Sequence, residues 1–188
     1  KEESLNLYHD VIPTLDELIS MNLKLGIVSD APSREAWIRL YTLNLHNKFQ
    51  DVVTFNDTGF FKPAKEPFIK IADKLSVDLK ECMMVGDWPD RDIKGAKQVG
   101  MKTAFAKYGS TENISESGAE YELISISQLI DIIKSGHLSI TDWQVPEHAM
   151  LFIFNDEKSY TGPYLSGSGK IFLSGRYISD KLILEYSE

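Results

Sequence analysis

The chain has 188 residues, 43% apolar and 26% charged, a globular composition with room for one sizeable core, or for a domain of about 130 residues with a small appendage. Its net charge of −8 is not offset by any basic block, which excludes nucleic acid and anionic membrane surfaces as main partners. No run approaches membrane-spanning length and no leader is visible, so the expected compartment is cytoplasmic; the lone Cys82 reads as a small core hydrophobe.

In chain order, Asp10 to Met21 is expected to be helical, with Ile12, Leu15, Leu18 and Ile19 on one face and Thr14 and Glu17 at capping-box spacing. Lys24 to Val28 is a short apolar strand. Ser33 to Leu43 is a helix predicted to bury Ala36, Trp37, Leu40 and Tyr41, and Val52 to Phe55 is a second strand. Phe68, Ile71, Ala72 and Leu75 define another helix, with Pro67 near its first position, where a missing N–H costs nothing. Strand Cys82 to Val85, helix Asp92 to Val99, strands Lys102 to Ala106 and Tyr121 to Ile124, and a helix ending near Lys134 complete the series.

Strands separated by helices of about ten residues imply βαβ units and an α/β, doubly wound, mostly parallel sheet. Such sheets bind ligands at the carboxyl ends of their strands, where Ser29, Lys62 and Asp87 fall here. The last of these opens Gly86-Asp87-Trp88-Pro89-Asp90-Arg91-Asp92. Three carboxylates in a shared pocket would repel one another unless a hard cation such as Mg²⁺ compensated them. Ordinary turn and N-cap chemistry is the alternative explanation for the same residues.

After Lys134 the character changes. Short β-prone runs, Met150 to Phe154, Lys170 to Leu173 and Lys181 to Tyr186, lie among glycines with no helical periodicity. Gly167-Ser168-Gly169-Lys170 is not a phosphate loop, because Tyr164 stands at the offset of the required glycine and Ile171 follows the lysine; hairpin turns explain it better. The expected division is a core over 1–135 and a small β-rich appendage over 137–188.

Three segments, Leu25 to Asp30, Lys62 to Phe68 and Val85 to Asp92, resemble in order and spacing the second, third and fourth motifs of the haloacid-dehalogenase-like hydrolases, and the likeness runs over about residues 5–134. The resemblance implies a Rossmann-like core and a Mg²⁺-dependent phosphatase, because the family's true dehalogenases lack the paired acids of the fourth motif. It implies that Ser29 donates a hydrogen bond to a phosphoryl oxygen with Asp30 beside it in the phosphate site, and that Lys62 supplies positive charge to phosphate and carboxylates. Asp87 would bind Mg²⁺ directly and Asp92 through water or by orienting the metal shell, with Asp90 a further candidate. The implied reaction is hydrolysis of a small phosphorylated metabolite, a phosphomonoester, through an aspartyl-phosphate.

The family's first motif, a strand ending in Asp-x-Asp that supplies the nucleophile, has no match in Lys1 to Asp10. The favoured expectation is that this chain is a portion of a longer product; a second segment or chain could also donate the strand. A third route runs through the tail, where Met150 to Ser159 is an apolar strand ending in polar groups. It places Asn155 at the nucleophile position, or, shifted by one, Asp156 with Lys158 where the general acid should stand, and an edge strand of the tail explains the same pattern. The rival functional class is a non-catalytic remnant that keeps phosphate and metal residues as a binding or scaffold module. A phosphoacceptor receiver has the wrong order, since its acidic pair lies on the first strand and its lysine late.

Overall fold

Apolar runs and amphipathic stripes alternate along the chain, and the computed structural model turns them into a parallel sheet flanked by helices. It describes residues 6–110 and 114–134 and the strands at 149–156, 169–171 and 175–176. Helix α1 (Val11–Ser20) leads to β1 (Lys24–Ser29), α2 (Ser33–Thr42), β2 (Asp51–Val53), the single turn α3 (Phe55–Thr58) and α4 (Glu66–Leu75). Then come β3 (Cys82–Gly86), a π-helical turn over Pro89–Ile93, α5 (Lys94–Gln98), β4 (Lys102–Ala106), β5 (Tyr121–Leu123) and α6 (Gln128–Lys134). Strands β6 (Ala149–Asp156), β7 (Gly169–Ile171) and β8 (Gly175–Arg176) follow.

The first six strands lie in the order β2-β1-β6-β3-β4-β5, every neighbour parallel. In β1 every residue from Leu25 to Ser29 is buried, and β3 is buried from end to end, the pattern of strands covered on both faces. Helix α4 shows how one face is closed. Its Phe68, Ile71, Ala72 and Leu75 are buried, and it sits so close to β1 that a methyl group on Gly26 would lie 2.9 Å from Leu75 and 3.0 Å from Ile71. Each such large apolar side chain contributes about 1.5–3 kcal/mol when fully buried.

The element pattern agrees with the sequence through residue 134, with local corrections. Thr14 does not cap α1: the helix starts at Val11, so Thr14 and Glu17 lie inside it, and Asp10 stands at the N-cap. The second strand ends at Val53 instead of running to Phe55, because Thr54 exchanges capping-box hydrogen bonds with Asp57 and opens α3. Trp37 and Tyr41 are 39% and 60% exposed, and Ile19 is 37% exposed. In α2 the buried stripe is Ala36, Leu40 and the following Leu43, so Tyr41 lies off it and stacks on His46 at 4.3 Å on the surface.

The tail departs further from its expected place. Ala149–Asp156 is hydrogen-bonded between β1 and β3, at the middle of the core sheet, and the antiparallel pair β7-β8 grows from its carboxyl end. The remainder of 137–188, including the run Lys181 to Tyr186 and Lys158, lies outside the described residues.

Candidate active site

The carboxyl ends of β1 and β3 and the loop before α4 bring the expected residues together. Ser29 ends β1, is 2% exposed and accepts the Ala31 N–H through its Oγ at 3.1 Å. The loop carrying Lys62 is set by its neighbours: α3 stops at Gly59, whose φ of 74° is a left-handed cap, and the chain then turns through a cis Lys62–Pro63 bond into α4. The backbone N–H of Lys62 donates to Asp30 Oδ1 at 2.9 Å, which ties this loop to the end of β1.

The Lys62 ammonium is buried with its partners. Its Nζ donates to the Val28 carbonyl at 3.3 Å and lies 3.2 Å from Asp92 Oδ1, with both side chains 2% exposed. A reciprocal pair of hydrogen bonds with Trp88 holds Asp92 in place: the Asp92 N–H donates to the Trp88 carbonyl at 2.8 Å, and Asp92 Oδ2 accepts the Trp88 N–H at 2.9 Å. Burial pushes the Asp92 carboxyl up from its ordinary range, opposed by the Lys62 charge and the Trp88 N–H. Asp87, just past β3, is 4% exposed.

Ser29, Asp30, Lys62, Asp87 and Asp92 are thus all buried in this region of the molecule, whereas Asp90 is exposed and does not share their burial. The Asp30 carboxylate is occupied by the Lys62 N–H and by Arg91, whose Nη1 lies 3.5 Å away. Arg91 was not singled out by the motif pattern, although it stands between the two acids. Its guanidinium also lies over the Trp88 ring, 4.8 Å from the centroid. Tyr108, beyond the end of β4, was also missed: burial pushes its hydroxyl up, with Asp10, Tyr8 and Asp87 adding to the shift, which puts the ring within the field of Asp87. No spacing rule in the sequence marks it.

The donor set suits a hard divalent cation. Asp87 and Asp92 are buried carboxylates, the oxygen-ligand type that such an ion takes. Among the described residues no group of three or more His, Cys, Asp or Glu side chains gathers around one point, so two carboxylates are what β3 and its turn provide.

Comparison with known proteins agrees with the fold. The family model for haloacid dehalogenase-like hydrolases matches residues 1–106. The glyceraldehyde 3-phosphate phosphatase of Methanocaldococcus jannaschii is 35% identical over 132 residues, 70% of this chain and 58% of that protein. Among solved structures, a HAD phosphatase from Thermococcus onnurineus superimposes with a TM-score of 0.62 at 33% identity, covering 66% of this chain and 57% of that one. The HAD-hydrolase YfnB of Bacillus subtilis, bound to magnesium, gives 0.60 at 26% identity over 68% of this chain and 56% of its own. The chain spans somewhat more than half the length of these relatives. The three motifs, the parallel sheet that carries them and a family match over more than half of its residues make this chain a member of the haloacid dehalogenase-like hydrolases.

Proposed function

We propose that this chain forms the phosphate and metal side of a Mg²⁺-dependent phosphohydrolase acting on a small phosphomonoester through an aspartyl-phosphate. The observation that carries the reading is the buried set of Ser29, Lys62, Asp87 and Asp92 at the carboxyl ends of β1 and β3 and in the Lys62 loop. A core that needed only apolar packing has no use for an ammonium and two carboxylates there. The names of the relatives, among them a glyceraldehyde 3-phosphate phosphatase and the pyrophosphatase PpaX of Halalkalibacterium halodurans, support small phosphorylated compounds as the substrate class.

In this reading Ser29 Oγ–H donates to a phosphoryl oxygen. Lys62, held by the Val28 carbonyl and Asp92, presents fixed positive charge to the same group as negative charge shifts onto the leaving oxygen. Asp30 orients the Lys62 loop through its bond to the Lys62 N–H, and Arg91 balances the Asp30 charge. Asp87 and Asp92 would hold Mg²⁺, which when bound neutralises phosphate charge that would otherwise repel the carboxylates. The nucleophilic aspartate is not one of these residues, and a further segment or chain supplies it.

A second reading has one observation in its favour. In the strand between β1 and β3 the residue just past the last pair with β1 is Asn155, and an amide is a poor nucleophile, which fits a module that binds phosphate and metal without turnover. The test is incubation of the purified chain with an aryl phosphate and Mg²⁺. Hydrolysis that falls by about a hundredfold or more in Asp87→Asn, and stops in chelator, supports the phosphohydrolase. Mg²⁺ binding without hydrolysis supports the binding module, and neither binding nor hydrolysis sinks both.

A further inference from the structure

Two cations stand near the end of β1, and they are held in opposite ways. Lys62 is sealed: its side chain is 2% exposed, and its Nζ is committed to the Val28 carbonyl and Asp92 Oδ1. Arg91 is anchored but open. Its guanidinium lies over the half-buried Trp88 ring, 4.8 Å from the centroid, and its side chain is 31% exposed. Its Nη1 stands 3.5 Å from Asp30 Oδ2, outside the about 2.7–2.9 Å of a tight charge-assisted bond. Among the described residues the guanidinium makes no hydrogen bond, and none of its nitrogens is sealed from solvent. The N–H donors of a rigid fork therefore remain available, while the ring beneath fixes its plane. Asp30 sets where the fork stands. It follows Ser29 in the chain, and its other oxygen, Oδ1, accepts the Lys62 N–H at 2.9 Å, so a single carboxylate separates the guanidinium from the Lys62 loop.

We propose that Arg91 is a specificity-determining residue that takes a second anionic group, a carboxylate or another phosphoryl, on a substrate whose scissile phosphoryl lies at Ser29 and Lys62. The inference rests on the phosphate reading above and narrows its substrate class, from any small phosphomonoester to one with a further negative charge close to the phosphate. A guanidinium fork matches either anion with two parallel hydrogen bonds. Lysine in its place would bring a point charge with no flat face to lie on Trp88. The division of labour follows from burial: the sealed Lys62 serves the group that reacts, and the half-exposed Arg91 reads what the rest of the substrate carries.

The experiment uses the intact chain with Mg²⁺ and three non-hydrolysable probes. Methylphosphonate has one anionic group, phosphonoacetate adds a carboxylate, and methylenediphosphonate adds a second phosphonate. Calorimetry is expected to show at least one two-anion probe binding about tenfold more tightly than methylphosphonate. In Arg91→Met that ratio is expected to fall to about one, with Arg91→Lys between the two. The ratio cancels any general weakening of the site, and because both two-anion probes also bind free Mg²⁺, it is the dependence of the ratio on Arg91 that carries the test. In the isotopically labelled parent the Arg91 Nε–H signal is expected to shift with the preferred two-anion probe and to stay still with methylphosphonate, a readout that needs no variant to fold. Preference for phosphonoacetate assigns the second group as a carboxylate, and preference for methylenediphosphonate assigns it as a phosphoryl. Three results overturn the proposal and leave the phosphate reading standing: equal affinities for the three probes, a ratio that survives in Arg91→Met, or an Arg91 signal that stays still while the Ser29 and Lys62 backbone amides shift. If no probe moves the Ser29 and Lys62 amides, the phosphate reading itself fails and this inference falls with it.

Discussion

Lys62 and Asp92 form an ion pair with both side chains 2% exposed, so neither charge has water to fall back on if the other is removed. Lys62→Met should therefore cost about 3–5 kcal/mol in urea denaturation, because it strands a buried carboxylate. The double variant Lys62→Met with Asp92→Leu should recover part of that loss, since no buried charge then remains; a double variant less stable than the single would show that the pair matters only as packing. Cys82 gives a pH test. Burial pushes its thiol up from 9.0 to about 12, so its folded pKa exceeds its unfolded one. The associated stability is complete below pH 9.0 and is lost as pH rises from there toward about 12, with a slope of up to about 1.4 kcal/mol per pH unit. Comparison of the parent with Cys82→Ala by denaturation at about pH 8 and about pH 10.5 should show the steeper loss in the parent. The buried polar residues Ser29, Lys62, Asp87 and Asp92, which carry the proposed site, could be singled out in the sequence because each lies in a short motif whose residue types are costly to bury without a task. Arg91 and Tyr108 were not, since a cation stacked on Trp88 and a tyrosine within the field of Asp87 depend on through-space approach that no local spacing records.

Most elements could be read from periodicity, because the strands are continuous apolar runs and α4 carries its buried residues at ideal helical intervals. The misplacements have local causes. Thr54 has the β-branched look of a strand residue, yet the Asp57 carboxylate at 2.6 Å from its hydroxyl recruits it as a helix cap. Helical spacing puts Trp37 and Tyr41 beside the buried Ala36 and Leu40, but Tyr41 stacks on His46 and Trp37 lies against Tyr41, which accommodates both at the surface. Helix α5 illustrates what packing demands of a position that composition leaves open. A methyl group on Gly95 would lie 2.5 Å and 2.6 Å from the Phe68 ring and 3.1 Å from the Pro63 Cα, so α5 can approach α4 and the Lys62 loop only through a glycine. Gly95→Ala is expected to lower stability by about 1–3 kcal/mol and to disturb the Lys62 loop, because the fully buried Phe68 ring must shift to make room. Thermal denaturation measures the first effect, and a changed backbone amide shift at Lys62 reports the second. A variant as stable as the parent would mean that α5 slides instead.

At the scale of the molecule the order of the strands was the illegible part. Periodicity identifies a strand but says nothing of its neighbours, and Ala149–Asp156 reads equally well as the edge of an appendage or as the middle of a sheet. The backbone pairing decides for the middle: six residues of β6 pair with β1 and four with β3, so among the described residues the two halves of the sheet are joined through this strand. That arrangement makes a proline there costly for the whole core. Leu151 is paired with Gly26 on one side and Met84 on the other, so Leu151→Pro puts a ring without an N–H into a strand bonded along both edges. Leaving one buried partner unsatisfied costs about 1–3 kcal/mol before any steric displacement is added. The expected result is a lower unfolding midpoint in urea and joint loss of hydrogen-exchange protection at the amides of β1 and β3, although these strands lie more than 60 residues away in the chain. An appendage strand would behave differently. Its proline variant would leave the unfolding of 24–134 at the parent midpoint and the protection of Ile27 and Met84 unchanged, and that outcome would place the Ser29 and Asp87 walls around some other strand than β6.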